Sequence, residues 1–211
     1  MIKYVVSGVT IMANHYYSRQ PEVESVPKYW ETELRHHKFR FKTDRGVFSN
    51  KEVDFGSRFL VETIDIPDVA GAILDVGCGY GPIGLTLAKE CPGREVHLVD
   101  VNQRAIGLAK ENAKENAIEH VKIYESDTLK DVEQTDFALI VTNPPIRAGK
   151  VVVHDILARS YEHLVENGEL WVVIQKKQGA PSAKAKMEEV FGHVDVIAKN
   201  KGYYLLRSIK C

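Results

Sequence analysis

From Ala72 to its end the chain alternates short apolar runs with longer amphipathic ones, and few architectures accept that pattern. "AILDVG" reads as a buried strand running into glycines, and "PIGLTLAKE" as a helix that opens on a proline, where the missing N–H costs nothing. The alternation continues through strand "EVHLVDV", helix "NQRAIGLAKENAKEN", strand "HVKIYESD", strand "DFALIVTN", helix "KVVVHDILARSYEHLVEN" stopping at Gly168, strand "ELWVVIQ" and helix "APSAKAKMEEVFG". Such runs predict an α/β fold, a parallel sheet covered by helices on both faces. The last two strands, "HVDVIAK" and "YYLLRSI", are separated only by "NKG". That is too short for a crossover helix, so they must form an antiparallel hairpin.

The region before the sheet is different. "HKFRFKTDRGVFSN" reads as a hairpin turning at Asp44-Arg45-Gly46, and "DFGSRFLVETI" as a helix. Both are read as a cap, residues 13–70, on a Rossmann-like core, residues 71–211, of one domain spanning 13–211. Residues 1–12 read as an ancillary extension, with Met12 a second possible start. Ser7, Gly8 and Thr10 interrupt the mildly apolar run there, which is short for a secretory core. No segment approaches the length of a membrane span. Cys78, Cys91 and Cys211 are odd in number and far apart, and the histidines lack ligand spacing, so a reducing, cytoplasmic setting is expected and no metal site.

"DVGCGYGPIG" places Gly77, Gly79 and Gly81 between a strand and a helix, with Pro82 in the slot of the third dinucleotide glycine. Asp75 sits inside the strand end, where a carboxylate repels a pyrophosphate and suits an amino group or a sulfonium. Asp100 closes the second strand, where an acid accepts hydrogen bonds from ribose hydroxyls. Asp127 ends the third, where it can accept from an adenine amino group. A cation, a ribose and an adenine without phosphate describe S-adenosylmethionine. Gly77, Cys78, Gly79 and Val101 complete the expected cofactor contacts, although Cys78 on its own reads as a small buried filler.

This pattern resembles the class I S-adenosylmethionine-dependent methyltransferases over Ala72 to the C-terminus. The resemblance implies seven core strands in the order 3-2-1-4-5-7-6. "TNPPIRAGK" after the fourth strand narrows it, being similar to the motif of enzymes that methylate planar exocyclic amines or amides: adenine, guanine or a protein glutamine. Such a nitrogen is a poor nucleophile because its lone pair is delocalised. The Asn143 side-chain oxygen and the Pro144 carbonyl can accept its two N–H bonds and aim the lone pair at the methyl group, and the two prolines hold them in place. Asn143 also joins the expected cofactor set. The relatives carry an aromatic after the prolines; here it is Ile146, which leaves Phe41, Phe48 or the Arg147 guanidinium to cover the base.

"HYYS", "GVFSNKEVDFGSRFLVETI", "DVGCGYGPIGL", "TNPPIRAGK" and the ending through "KGYYLLRSIK" together resemble the small-subunit ribosomal RNA guanine-N2 methyltransferases, in their short single-domain bacterial form. The implied activity is methylation of a guanine amine in ribosomal RNA or a small-subunit particle by a monomer or homodimer. Protein glutamine methylation, or a non-catalytic cofactor-binding RNA module, are the alternatives. Formal net charge is −1, so RNA would have to meet a local patch rather than a whole-molecule field. Lys38, Arg40 and Lys42 alternate with Phe39 and Phe41, which puts cations on one strand face. Lys176, Lys177, Lys199, Lys201, Arg147 and Lys150 fall at the carboxyl edge of the sheet, where ligands bind. With Pro145 and Ile146, the cations Lys38, Arg40, Lys42, Arg147, Lys176 and Lys177 form the expected substrate surface.

Overall fold

The computed structural model describes residues 19, 23–49 and 52–211. The extension expected over residues 1–12 and the "HYYS" segment lie outside them. Strands β1 (Lys28–Leu34) and β2 (His37–Thr43) pair as a hairpin, followed by α1 (Phe55–Thr63). The core runs β3 (Ala72–Val76), α2 (Pro82–Glu90), β4 (Val96–Asp100), α3 (Gln103–Glu115), β5 (Val121–Glu125), β6 (Phe137–Thr142), α4 (Lys150–His163), β7 (Leu164–Gln175), α5 (Ala180–Phe191), β8 (Asp195–Asn200) and β9 (Tyr203–Ile209).

The seven core strands lie in the order β5-β4-β3-β6-β7-β9-β8. Counted from β3, that is the expected 3-2-1-4-5-7-6. β3, β4, β5, β6 and β7 pair in parallel, and β9 runs antiparallel to both β7 and β8. One side of the sheet packs Ile73, Leu98 and Val141 with Leu85 of α2, Ala109 of α3 and Leu60 of α1. Leu34, Phe39 and Phe41 of the hairpin belong to that same core, so the cap extends it. The other side packs Leu74, Ile140 and Val172 with Leu157 of α4 and Met187 of α5.

Two expected boundaries move. The hairpin turns at Arg35-His36, with φ of 47° and 65°, and not at Asp44-Arg45-Gly46. A two-residue loop with both φ positive matches the right-handed twist of its strands, and its usual signal is Asn or Gly, absent here. Asp44 is instead buried, accepting the N–H groups of Val26 and Arg45. The helix expected to run to Gly168 ends at His163. The buried Leu164 takes extended backbone and pairs with Phe137, so "LVEN" opens β7. Gly168 is needed in that strand because a Cβ there would lie 2.9 Å from the Val165 carbonyl oxygen and 3.0 Å from that of Phe137.

Candidate active site

The carboxyl ends of β3, β4 and β6 open into a cavity of about 650 Å³. Its floor is the turn after β3. Gly77, Gly79 and Gly81 have φ of 75°, 57° and 98°, values that explain the alternate glycines of "DVGCGYGPIG". Gly77 and Cys78 donate their N–H groups to the Val99 carbonyl at 2.8 and 2.9 Å. Gly79 donates to Asp100 Oδ2 at 2.9 Å, and Asn102 to Asp100 Oδ1 at 2.8 Å. Asp100 thus fixes both the glycine turn and the start of α3. Burial pushes its pKa up against those hydrogen bonds.

Gly77, Cys78, Gly79, Asp100, Val101 and Asn143 all line the cavity. Asp75 lies beneath it, fully buried. Its Oδ2 accepts the Gly84 N–H at 2.8 Å, whereas Oδ1 has no partner among the described residues. Burial raises the Asp75 pKa to about 7, the Gly84 N–H opposing and nearby Asp100 adding to the rise. Burial also holds the Cys78 thiol well above its ordinary pKa, so its thiolate is suppressed and it acts as packing.

Asp127, expected at the adenine end, stands at the edge of the cavity. Ser126 and Thr128 on either side of it line the cavity, while the Asp127 carboxylate is 47% exposed and pairs with Lys130 one turn on. An i,i+3 partner is within reach on that turn, and the carboxylate takes it.

Asn143 leaves the end of β6, which Thr142 Oγ1 ties to β3 through the Val76 carbonyl at 2.8 Å. Its Nδ2 donates to Asp54 Oδ1 and to Ser57 Oγ, both at 3.1 Å. A carboxylate only accepts, so the amide nitrogen must face α1, which leaves the amide oxygen for the cavity. Asp54 is the N-cap of α1 and accepts the Ser57 N–H at 3.1 Å. Gly56 permits this approach: a Cβ there would lie 3.0 Å from Tyr203 Cε1, 3.1 Å from Asp54 Oδ1 and 3.4 Å from Asn143 Nδ2. Pro144, Pro145, Ile146 and Arg147 follow along the wall.

Of the aromatics considered for the base, Phe41 is excluded. It is fully buried, stacked on Phe39 with ring centroids 5.3 Å apart. Phe48 and Arg147 line the cavity, and so does Tyr203, which the sequence reading did not single out. Tyr203 packs on Phe55 of α1 at 5.4 Å between centroids. Asp54 and Ser57 were also missed as site residues. The helix they open was legible in "DFGSRFLVETI", and Asp54 is a good N-cap residue type, but the contact with Asn143 was not.

The cations divide into two groups. The Lys176 N–H donates to the Gly202 carbonyl at 2.8 Å, joining the end of β7 to the turn of the last hairpin beside cavity-lining Gln175 and Tyr203. Exposed Lys176, Lys177 and Lys201 therefore gather at the mouth, Lys201 with Nζ 4.8 Å from the Phe55 ring centroid. Lys150 lines a smaller groove next to Ile146. Lys38, Arg40 and Lys42 are not at the mouth. Arg40 pairs with Glu115 and Lys42 with Glu111, and the Lys38 carbonyl accepts from Lys89. At 1.5 Å per residue, Glu115 lies about 20 Å along α3 from its cavity-lining start at Asn102. β2 buries its aromatic face against α2 and α3, and this docking turns its cations to that flank.

Among the described residues no group of three or more His, Cys, Asp or Glu could hold a metal ion, and no helix is long and apolar enough to cross a membrane.

A family model described as the methyltransferase small domain matches residues 38–207. The uncharacterized protein YbxB of Bacillus subtilis is 56% identical over 200 residues, covering 94% of this chain and all of that one. Ribosomal RNA small subunit methyltransferase C of Vibrio cholerae is 31% identical over 193 residues, 90% of this chain and 55% of its own length. A solved T. thermophilus 16S rRNA N2 methyltransferase, in complex with AdoMet and guanosine, superposes with a TM-score of 0.78 at 25% identity, over 90% of this chain and 52% of that one. The chain spans about half the length of these two ribosomal RNA methyltransferases. The match over most of the chain, with the sheet order and the glycine turn beneath Asn143, establishes that this protein belongs to the methyltransferase small domain family.

Proposed function

We propose that the chain uses S-adenosylmethionine to methylate the exocyclic amine of a guanine in ribosomal RNA. The observation that carries this reading is the Asn143 amide, turned oxygen-first into the cavity by Asp54 and Ser57. The residues present fit the cofactor. The wall offers carboxylates and backbone groups where a pyrophosphate would need positive charge, and beneath it the buried Asp75 Oδ1 lacks a partner among the described residues. Asp100 would take the ribose, with Gly77 to Gly79 and Val101 around it. At the end expected for adenine, Ser126 and Thr128 line the cavity on either side of Asp127. When bound, the cofactor supplies a methyl group activated by a sulfonium.

Asn143 Oδ1 and the Pro144 carbonyl accept the two N–H bonds of the amine, drawing its lone pair out of the ring and toward the cofactor side of the cavity. Their positions are set before substrate arrives, which is where such a site gains rate. The surplus proton leaves the nitrogen to solvent afterwards, so no general base is needed. The relatives named for ribosomal RNA methylation support the RNA substrate, and Lys176, Lys177 and Lys201 at the mouth suit a phosphate backbone.

The test is transfer of labelled methyl to ribosomal RNA and small-subunit particles from cells lacking the protein, followed by nucleoside analysis. N2-methylguanosine is the expected product. Label recovered in protein glutamine instead would replace this reading with its runner-up.

A further inference from the structure

We infer that Asp54 selects the base: its second carboxylate oxygen accepts the ring N1–H beside the amine that Asn143 holds, so the site takes guanine and refuses purines whose N1 is an acceptor. This rests on the guanine reading above. Asp54 Oδ1 already receives two donors, the Ser57 N–H and Asn143 Nδ2, both at 3.1 Å. A carboxylate oxygen has two lone pairs, so Oδ1 is filled. Oδ2 receives no hydrogen bond from the described residues, and the carboxyl lines the cavity.

With Asn143 Nδ2 on Asp54 Oδ1 and both side chains lining the cavity, the Asn143 amide oxygen and the outer Asp54 oxygen are the two acceptors this pair leaves for a base. Two adjacent acceptors match two adjacent donors on a base. Guanine alone among the four bases offers a ring N–H next to its exocyclic amine. Adenine and cytosine present an acceptor nitrogen there, which would face a carboxylate oxygen in a partly buried wall. A site built to receive a hydrogen bond rejects an analogue that cannot donate it far more strongly than an apolar pocket rejects a shape.

The decisive probe is 2,6-diaminopurine riboside, which keeps the 2-amino group of guanosine but has an acceptor at N1. Binding of guanosine and of this analogue is measured by calorimetry with S-adenosylhomocysteine saturating the cofactor site. Wild type should prefer guanosine by about tenfold or more, the scale of one hydrogen bond to a charged group. Asp54→Asn keeps a good helix cap. Its single oxygen is claimed by the Ser57 and Asn143 donors, so its NH₂ faces the cavity. This variant should lose the preference or invert it. Asp54→Ser, a second capping residue whose hydroxyl is too short to reach the base, should bring the two affinities together. Either folded variant keeping the wild-type ratio overturns the role of Asp54 and leaves the guanine reading standing. A wild type without preference for guanosine also overturns the role of Asp54; because the analogue keeps the 2-amino group, the guanine reading then stands or falls on the labelled-methyl experiment alone.

Discussion

The carboxylate of Asp100 accepts the backbone N–H of Gly79 at 2.9 Å, so one side chain at the end of β4 holds the glycine turn at the end of β3. Its other oxygen holds the N–H of Asn102, the N-cap of α3. The Val101 N–H also bonds this carboxylate, and the acceptor capacity that remains faces the cavity, where a ribose hydroxyl would sit. Asp100→Ala should weaken S-adenosylmethionine and its demethylated product alike, by about tenfold or more, since hydrogen bonds to a charged acceptor disappear. Calorimetry with both ligands is the check, and undiminished binding would remove the ribose assignment.

Asn143 is anchored to α1, not to the glycine turn. Asn143→Ala should therefore leave cofactor affinity nearly intact while cutting single-turnover methyl transfer by about a hundredfold, the scale for one oriented transition-state contact. Ser57→Ala removes one of the two acceptors that orient the amide. It should slow transfer less than Asn143→Ala, with cofactor binding unchanged. Near-normal rates in Asn143→Ala would mean that the Asn-Pro-Pro wall is not the catalytic element.

Asp75 makes the fold sensitive to pH. Its pKa rises from 3.8 to about 7, chiefly by burial. Between those values the folded chain keeps a proton that the unfolded chain has given up, so stability from this group falls as pH rises. It is fullest below about pH 4 and gone above about pH 7. Asp75→Asn mimics the protonated form, and its Tm relative to wild type should climb between pH 5 and pH 8. A cation bound above Oδ1 opposes the protonated form, so cofactor binding near pH 6.5 should release protons. Calorimetry in buffers of different ionisation enthalpy reads that release. A Tm gap independent of pH would show that Asp75 is already ionised in the folded protein.

The sheet was legible because its signals are local. Strands apolar throughout, helices between them and the three residues "NKG" suffice to predict a parallel sheet ending in an antiparallel hairpin, and the family resemblance supplies the order of the strands. The cap was less legible. Arg35 and His36 make a turn without glycine or asparagine, whereas Asp44-Arg45-Gly46 carries turn residues and makes none between the paired strands. The alternation of Phe39 and Phe41 with cations revealed two faces, but not that the aromatics would join the core or that α3 would supply carboxylates to Arg40 and Lys42. Asn143 could be picked from its own motif. The groups that aim it lie 86 and 89 residues away, and no local pattern reports such a contact.

The two groups of cations give the final prediction. Lys176, Lys177 and Lys201 stand at the cavity mouth, while Lys38, Arg40 and Lys42 lie on the flank, the last two already paired with Glu115 and Glu111. If RNA crosses the mouth to deliver a base to Asn143, its phosphates meet the first group. Neutralising those three lysines should weaken RNA binding with little regard to sequence. It should also flatten the plot of log affinity against log salt by about 0.7–0.9 for each phosphate that the lysines no longer neutralise. Neutralising the flank group should leave that slope unchanged, because the group lies away from the mouth and Arg40 and Lys42 already hold carboxylates. Cofactor affinity should not move in either variant, since neither group touches the glycine turn or Asp100. The measurement is RNA affinity against salt for wild type and the two triple variants. A flattened slope in the flank variant and a wild-type slope in the mouth variant would move the RNA path onto α2 and α3, away from the cavity.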